Sequence, residues 1–162
     1  MKDLRYGAAA LDSVDLALLQ ALSSEARLSI AALARRVGLS APSVSERLKR
    51  LEEAGAIEGY AAVINPRALG YQLAAWLRIR PIPGQLPKVA EIVRSLPQIV
   101  SCDRITGEDC FIARALVRSV EDLESLIDKI IPYATTNTSI IQSSPVEPRL
   151  PPFVTAGKTT SR

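Results

Sequence analysis

Between Arg27 and Arg50 the chain carries six cations, Arg27, Arg35, Arg36, Arg47, Lys49 and Arg50, against one acid, Glu46. That window holds a net +5 while the whole chain sums to +3, so the remainder is −2 and the positive charge is confined to one segment. Guanidinium groups make paired hydrogen bonds to planar acceptors, either phosphate oxygens or the O6 and N7 edge of guanine. Ser43, Arg47 and Arg50 recur at spacings of four and three and share one helical face, with Ser45 and Lys49 flanking it. Such a helix suits the major groove of double-stranded DNA, about 12 Å wide, where residues near its N-terminus meet base edges. On that reading Arg47 or Arg50 pairs with guanine, while Arg27, Arg35, Arg36 and Lys49 meet phosphates, and Ser40, Ser43 and Ser45 complete the DNA-facing set. The competing reading is a solvated amphipathic helix in which Glu46 and Arg50 form an i,i+4 pair.

Composition removes other chemistries. Histidine is absent, so there is no Ser-His or Cys-His nucleophile pair, no His-ligated haem and no His-containing zinc site; Lys, Asp and Glu chemistry stays open, but we expect neither an enzyme nor a bound cofactor. Cys102 and Cys110 fit neither a C-x-x-C metal motif nor a disulfide framework and read as small, buried apolar residues. With 162 residues, 48% hydrophobic and 23% charged, the chain suits one large or two small globular domains. No apolar run approaches the ~20 residues that span a bilayer, and Met1-Lys2-Asp3-Leu4-Arg5-Tyr6 lacks the apolar centre of a signal peptide, which points to a cytoplasmic protein with no membrane partner.

The cationic segment needs a scaffold, and apolar spacing supplies it. Leu11, Val14, Leu18 and Leu22 recur at three and four residues behind Asp12, which is placed to cap a first helix. Ser29 opens a second, with Ile30, Leu33, Ala34 and Val37 on one face, and Gly38 ends it in a conformation cheap only for glycine. Ser40 caps a third, which tolerates Pro42 in its first turn, buries Val44, Leu48 and Leu51, and runs to about Ala54 before Gly55. Ile57, Gly59, Ala61 and Val63 then alternate with Glu58 and Tyr60, predicting a strand that stops at Asn65-Pro66. Tyr60 reads as a packing residue, or alternatively as a wing touching the DNA backbone.

From Leu73 the pattern alternates again: Leu73, Ala75, Leu77 and Ile79 on one side, Ala74, Trp76, Arg78 and Arg80 on the other. After the break at Pro81-Ile82-Pro83-Gly84, Leu86, Val89, Val93 and Leu96 mark a helix closed by Pro97. Strands are expected over about 99–105 and 110–118, joined by the turn Thr106-Gly107-Glu108-Asp109. Ser119 caps a helix bearing Leu123, Ile127, Ile130 and Ile131, and a last strand surrounds Ile140-Ile141. The order β-α-β-β-α-β is a ferredoxin-like split βαβ, with both helices on one face of an antiparallel sheet. Its other face carries apolar residues and must be covered, most simply by a second copy, so a homodimer is expected. Beyond Glu147 the chain is polar and unpatterned, the mark of a flexible tail.

Three stretches closely resemble the Lrp/AsnC family of bacterial and archaeal regulators: Leu11-Asp12-x-x-Asp15-x-x-Leu18-Leu19, Ala34-Arg35-Arg36-Val37-Gly38-Leu39-Ser40, and Val44-Ser45-Glu46-Arg47-Leu48-Lys49-Arg50-Leu51-Glu52-x-x-Gly55-x-Ile57-x-Gly59-Tyr60. The likeness runs from about Leu11 to Glu147. It implies an α+β chain with a winged helix-turn-helix DNA-binding domain over 1–64 and a linker over 65–70. A ferredoxin-like effector-binding and oligomerisation domain over 71–147 and a flexible tail over 148–162 complete it. It implies a sequence-specific transcription regulator that responds to an amino acid or related small metabolite, dimerises through its sheets and assembles into octamers. The effector would lie between subunits at Ile105, Thr106, Gly107, Glu108 and Asp109, together with Thr135, Thr136 and Asn137 before the last strand. There, backbone N–H groups of the Gly107 turn can hold a carboxylate, and Glu108 or Asp109 can accept from an ammonium. Cys110 stands where many members have Asp, which leaves open an unusual effector or none. The two-part architecture is also similar to sirohaem decarboxylases, but those depend on histidines this chain lacks. A third reading is an amino-acid-binding modulator that does not read DNA.

Overall fold

The computed structural model describes residues 11–153. They divide by contact into two compact units, one ending at Val63 and one over Ile64–Glu147, and residues 148–153, without regular structure, group with the first. The Met1 to Tyr6 stretch and residues 154–162 of the tail expected over 148–162 lie outside the described residues.

The first unit contains three helices, α1 (Ser13–Ser24), α2 (Ile30–Val37) and α3 (Ala41–Glu53). Each begins at a side chain that satisfies an otherwise orphaned N–H. Asp12 accepts from the Asp15 N–H at 2.7 Å while Asp15 reaches back to the Asp12 N–H, Ser29 accepts from Ala32 at 3.2 Å, and Ser40 accepts from Ser43 at 3.3 Å. Gly38 ends α2 at φ +70°, a left-handed conformation that costs other residues about 1–2 kcal/mol, and so sets the tight turn into α3. Leu18 and Ala21 of α1, Leu33 and Ala34 of α2, and Val44, Leu48 and Leu51 of α3 are buried together as one core. Each fully buried leucine contributes roughly 1.5–3 kcal/mol, so the three apolar stripes are what draw the helices together.

The strand expected over Ile57 to Val63 does not form. After α3 the Ala56 and Ile57 N–H groups both donate to the Leu51 carbonyl, at 2.8 and 3.1 Å, folding the chain back over the helix end. Residues 58–65 then run without sheet pairing. Alternation alone does not make a strand: the ladder needs a partner, and none is present among the described residues. Tyr60, Val63 and Ile64 are accordingly exposed. The second unit opens on a 3-10 turn over Pro66–Leu69, whose start is capped by Asn65.

The second unit runs β1 (Leu73–Pro81), α4 (Leu86–Ser95), β2 (Ile99–Arg104), β3 (Phe111–Val117), α5 (Val120–Ile127) and β4 (Ala134–Ile140). The sheet is antiparallel with spatial order β2-β3-β1-β4, the ferredoxin-like arrangement the element order predicted. Register puts Ala75 opposite Ala115, Leu77 opposite Ala113 and Ile79 opposite Phe111. These six are buried in one cluster with Val89 and Val93 of α4 and Leu123 and Leu126 of α5. The opposite face presents Trp76, Arg78 and Arg80 of β1 across from Arg114 and Ile112 of β3 and Thr135, Asn137 and Ser139 of β4. Leu96, held extended before Pro97, ends α4 as the ring of a following proline requires. Cys102 and Cys110 are free, half-buried and packed on the core, and burial together with Asp103 raises the Cys102 thiol pKa.

Two expectations here need correction. α5 stops at Ile127; Ile130 is buried on a following turn and Ile131 is exposed. The last strand starts at Ala134, so Thr135, Thr136 and Asn137 lie inside β4 rather than before it, paired with Arg80, Ile79 and Arg78. β4 is an edge strand rich in threonine, whose β-branching favours extended backbone although it leaves no apolar run to mark the start.

Candidate nucleic-acid interface and ligand cleft

Across the Gly38 turn, α2 and α3 present the cationic segment from two helices. Arg27 in the turn before α2, and Arg35 and Arg36 in its last turn, are exposed and have no carboxylate partner among the described residues. Lys49 is exposed and only loosely held, its Nζ 3.7 Å from Glu53. Ser40 and Ser43 are committed to the start of α3, their hydroxyls 2.8 Å apart, whereas Ser45 borders a groove shared with Lys49, Glu52 and Tyr60. The Tyr60 hydroxyl donates to Glu52 at 2.8 Å, and its own burial and the Glu52 carboxylate raise its pKa. Tyr60 therefore ties the segment after α3 to α3 itself.

Arg47 and Arg50 are placed differently from the sequence-based expectation. Arg47 Nη1 lies 2.6 Å from Asp12 and 2.8 Å from Asp15, and Arg50 Nη2 lies 2.8 and 3.0 Å from the two Asp15 oxygens. The Asp15 side chain is 3% exposed, that of Arg47 27% and that of Arg50 60%. Hydrogen bonds donated to Asp12 and Asp15 raise the Arg47 pKa further above its ordinary value, while the Asp15 N–H and Arg47 lower that of Asp12. The arrangement is a clamp between α1 and α3 that covers most of the Arg47 side chain and leaves that of Arg50 largely exposed. Arg50 takes Asp15 in preference to Glu46, its neighbour four residues back. The sequence did hold a signal for this: Asp15 lies four residues after Leu11 and three before Leu18, inside the apolar stripe of α1, where a carboxylate needs a cationic partner.

In the second unit, Glu108 and Asp109 of the β2–β3 turn meet Thr135, Thr136 and Asn137 of β4 around one cleft, joined by Arg78 and Arg80 of β1. Arg80 bonds Glu108, Arg78 Nη2 donates to Asn137 at 3.3 Å, and both guanidiniums stand 3.8 Å from Asp109. Ile105, Thr106 and Gly107 do not line the cleft; they form the exposed turn beside it, with Gly107 at φ +107°. Two guanidiniums and two carboxylates around one hollow can hold a ligand carrying both charges. Arg78 and Arg80 were missed because only strand register shows that they adjoin β4.

Among the described residues no helix is long and apolar enough to cross a membrane. Residues 11–58 match the family described as winged helix-turn-helix DNA-binding, and residues 74–151 match the Lrp/AsnC ligand binding domain. The HTH-type transcriptional regulator LrpA of Mycobacterium tuberculosis is 35% identical over 80% of this chain and 87% of its own length. The structure of Bacillus subtilis LrpC superposes with a TM-score of 0.80 at 32% identity, over 86% of this chain and 99% of that one. The M. tuberculosis feast or famine regulatory protein, solved in complex with L-methionine, gives 0.80 at 33% identity over 87% and 98%. Helix-turn-helix, sheet topology and cleft thus occur together in a chain that belongs to the Lrp/AsnC family.

Proposed function

We propose that this chain is a sequence-specific DNA-binding transcription regulator whose second unit takes an amino acid or related small metabolite in the cleft bounded by Arg78, Arg80, Glu108 and Asp109. The carrying observation is the capped α2-turn-α3 unit with Arg27, Arg35, Arg36 and Lys49 exposed on it. α3 is slim enough for the major groove, and the cations of α2 and its approach reach the phosphates on either side. In the cleft an arginine receives the ligand carboxylate and Asp109 or Glu108 its ammonium; the L-methionine complex of a relative supports this class. The match of the two units to a DNA-binding and a ligand-binding domain supports binding rather than catalysis as their role.

The working form is a homodimer through the open sheet face, assembling further to an octamer in the cytoplasm. On that face Trp76 is 39% exposed, a large apolar surface that a second copy can cover. The test is fluorescence anisotropy of the full chain with duplex DNA from its own upstream region, in rising salt and with each amino acid added. Specific binding that weakens steeply with salt, and shifts with one amino acid, is expected. Equal affinity for random duplex, or a flat salt response, refutes the reading.

A further inference from the structure

On α3 the clamp draws Arg47 and Arg50 toward Asp15, and Glu46 is left without them. Val44, Leu48 and Leu51 bury one side of α3. Glu46 is two residues from both Val44 and Leu48, so it projects about 160–200° away from that core, at the outermost line of the helix. It is exposed and has no hydrogen-bond or ion-pair partner among the described residues, because Arg50 is held by Asp15 and Lys49 leans toward Glu53. Ser43, Glu46 and Lys49 border one shallow hollow on this surface with Arg47, Arg50 and Glu53. The exposed midsection of α3 therefore offers little net positive charge, and the free cations sit before and on α2.

A carboxylate pressed toward DNA is repelled by every phosphate and is tolerated only where it accepts a hydrogen bond. In the major groove the donors are the N4 amine of cytosine and the N6 amine of adenine. Adenine also presents its N7 lone pair beside N6, which opposes the second carboxylate oxygen, whereas the C5–H of cytosine beside N4 does not. We infer that Glu46 is a specificity-determining residue that reads a cytosine at one position of each half-site, while Arg47 and Arg50 fix the tilt of α3 from behind. This inference rests on the DNA-binding reading above.

The experiment is selection of binding duplexes from a randomised pool by the full chain and by its Glu46→Gln and Glu46→Ala variants, followed by affinity measurement on the selected site. Both changes are on the exposed surface, and matched thermal melts verify the fold. The parent is expected to select cytosine at one position per half-site. Glu46→Gln should move that preference to adenine, whose N6 and N7 match an amide, and Glu46→Ala should erase it. Discrimination at that position should fall between about fivefold and a hundredfold, the range for one good side-chain to base pair, with the other positions unchanged. Affinity of Glu46→Ala for random duplex should rise, since a negative charge is lost. Unchanged selection by both variants overturns the role of Glu46 and leaves DNA recognition intact. A parent that enriches nothing from the pool overturns both readings.

Discussion

Replacing Asp15 by Asn tests the clamp between α1 and α3. The carboxylate accepts from Arg47 at 2.8 Å, from Arg50 at 2.8 and 3.0 Å, and from the Asp12 N–H at 3.3 Å, with 3% of the side chain exposed. Breaking a buried ion pair usually costs about 3–5 kcal/mol, chiefly because a charge is stranded without water. Here the stranded groups are Arg47 and Arg50, with side chains 27% and 60% exposed, and both can turn partly to solvent. The cost therefore falls toward that of charged hydrogen bonds, about 2–3 kcal/mol. For a unit of this size that corresponds to a fall of roughly 10–20 °C in melting temperature. The double variant Arg47→Ala with Arg50→Ala removes the same pairs but strands Asp15, which lacks an exit to water, so it should lose more, about 3–5 kcal/mol. Adding Asp15→Asn to the double variant should restore part of that loss. The assay is thermal denaturation of the full chain followed by far-UV circular dichroism, with DNA selection below the transition. A shift under about 2 °C for Asp15→Asn would refute the clamp as a stabilising element. A changed base preference for Arg47→Ala at temperatures where it is folded would return Arg47 to base reading.

Gly38→Ala forces a Cβ into φ +70° and should destabilise the first unit by about 1–2 kcal/mol in chemical denaturation, although nothing lies within 4 Å of the added atom. Arg35→Ala with Arg36→Ala should reduce the slope of log affinity against log salt by about two, uniformly across DNA sequences, which anisotropy titrations measure. Asp12 has a lowered pKa because the Asp15 N–H and Arg47 favour its charged form. Its contribution is complete above the ordinary value of 3.8 and is lost as pH falls through the lower folded value. Melts below pH 4 should therefore show a loss that Asp12→Asn lacks. Arg80→Ala should weaken binding of the responsive amino acid at least about tenfold in calorimetry, as loss of a charged partner does, while DNA binding without ligand persists.

Much of the fold was legible because local rules agreed. Position alone marks Asp12, Ser29, Ser40 and Ser119 as caps, and each accepts from the N–H three residues on. The alternation Leu73, Ala75, Leu77 and Ile79 identified the buried side of β1 before the sheet was known. The failures share a cause. Ile57 to Val63 has strand alternation but no partner among the described residues, and Thr135 to Asn137 has a partner but no apolar alternation, so pattern and pairing parted company at both places. The ligand cleft was half legible: the turn and the threonine segment were named, but the arginines between them were not.

The residue order by itself determined which backbone segments coil and where they stop, since capping, glycine turns and apolar spacing act within a few residues of one another. It also determined that the cations are concentrated in one stretch. Only the tertiary structure decided what two of those cations contact. Arg47 and Arg50 lie more than thirty residues from Asp15 along the chain, and no periodicity can show that the packing of α1 on α3 brings a buried carboxylate beneath them. Charge is a property of the residue; whether it faces water, DNA or a partner is settled by what the fold carries to its side.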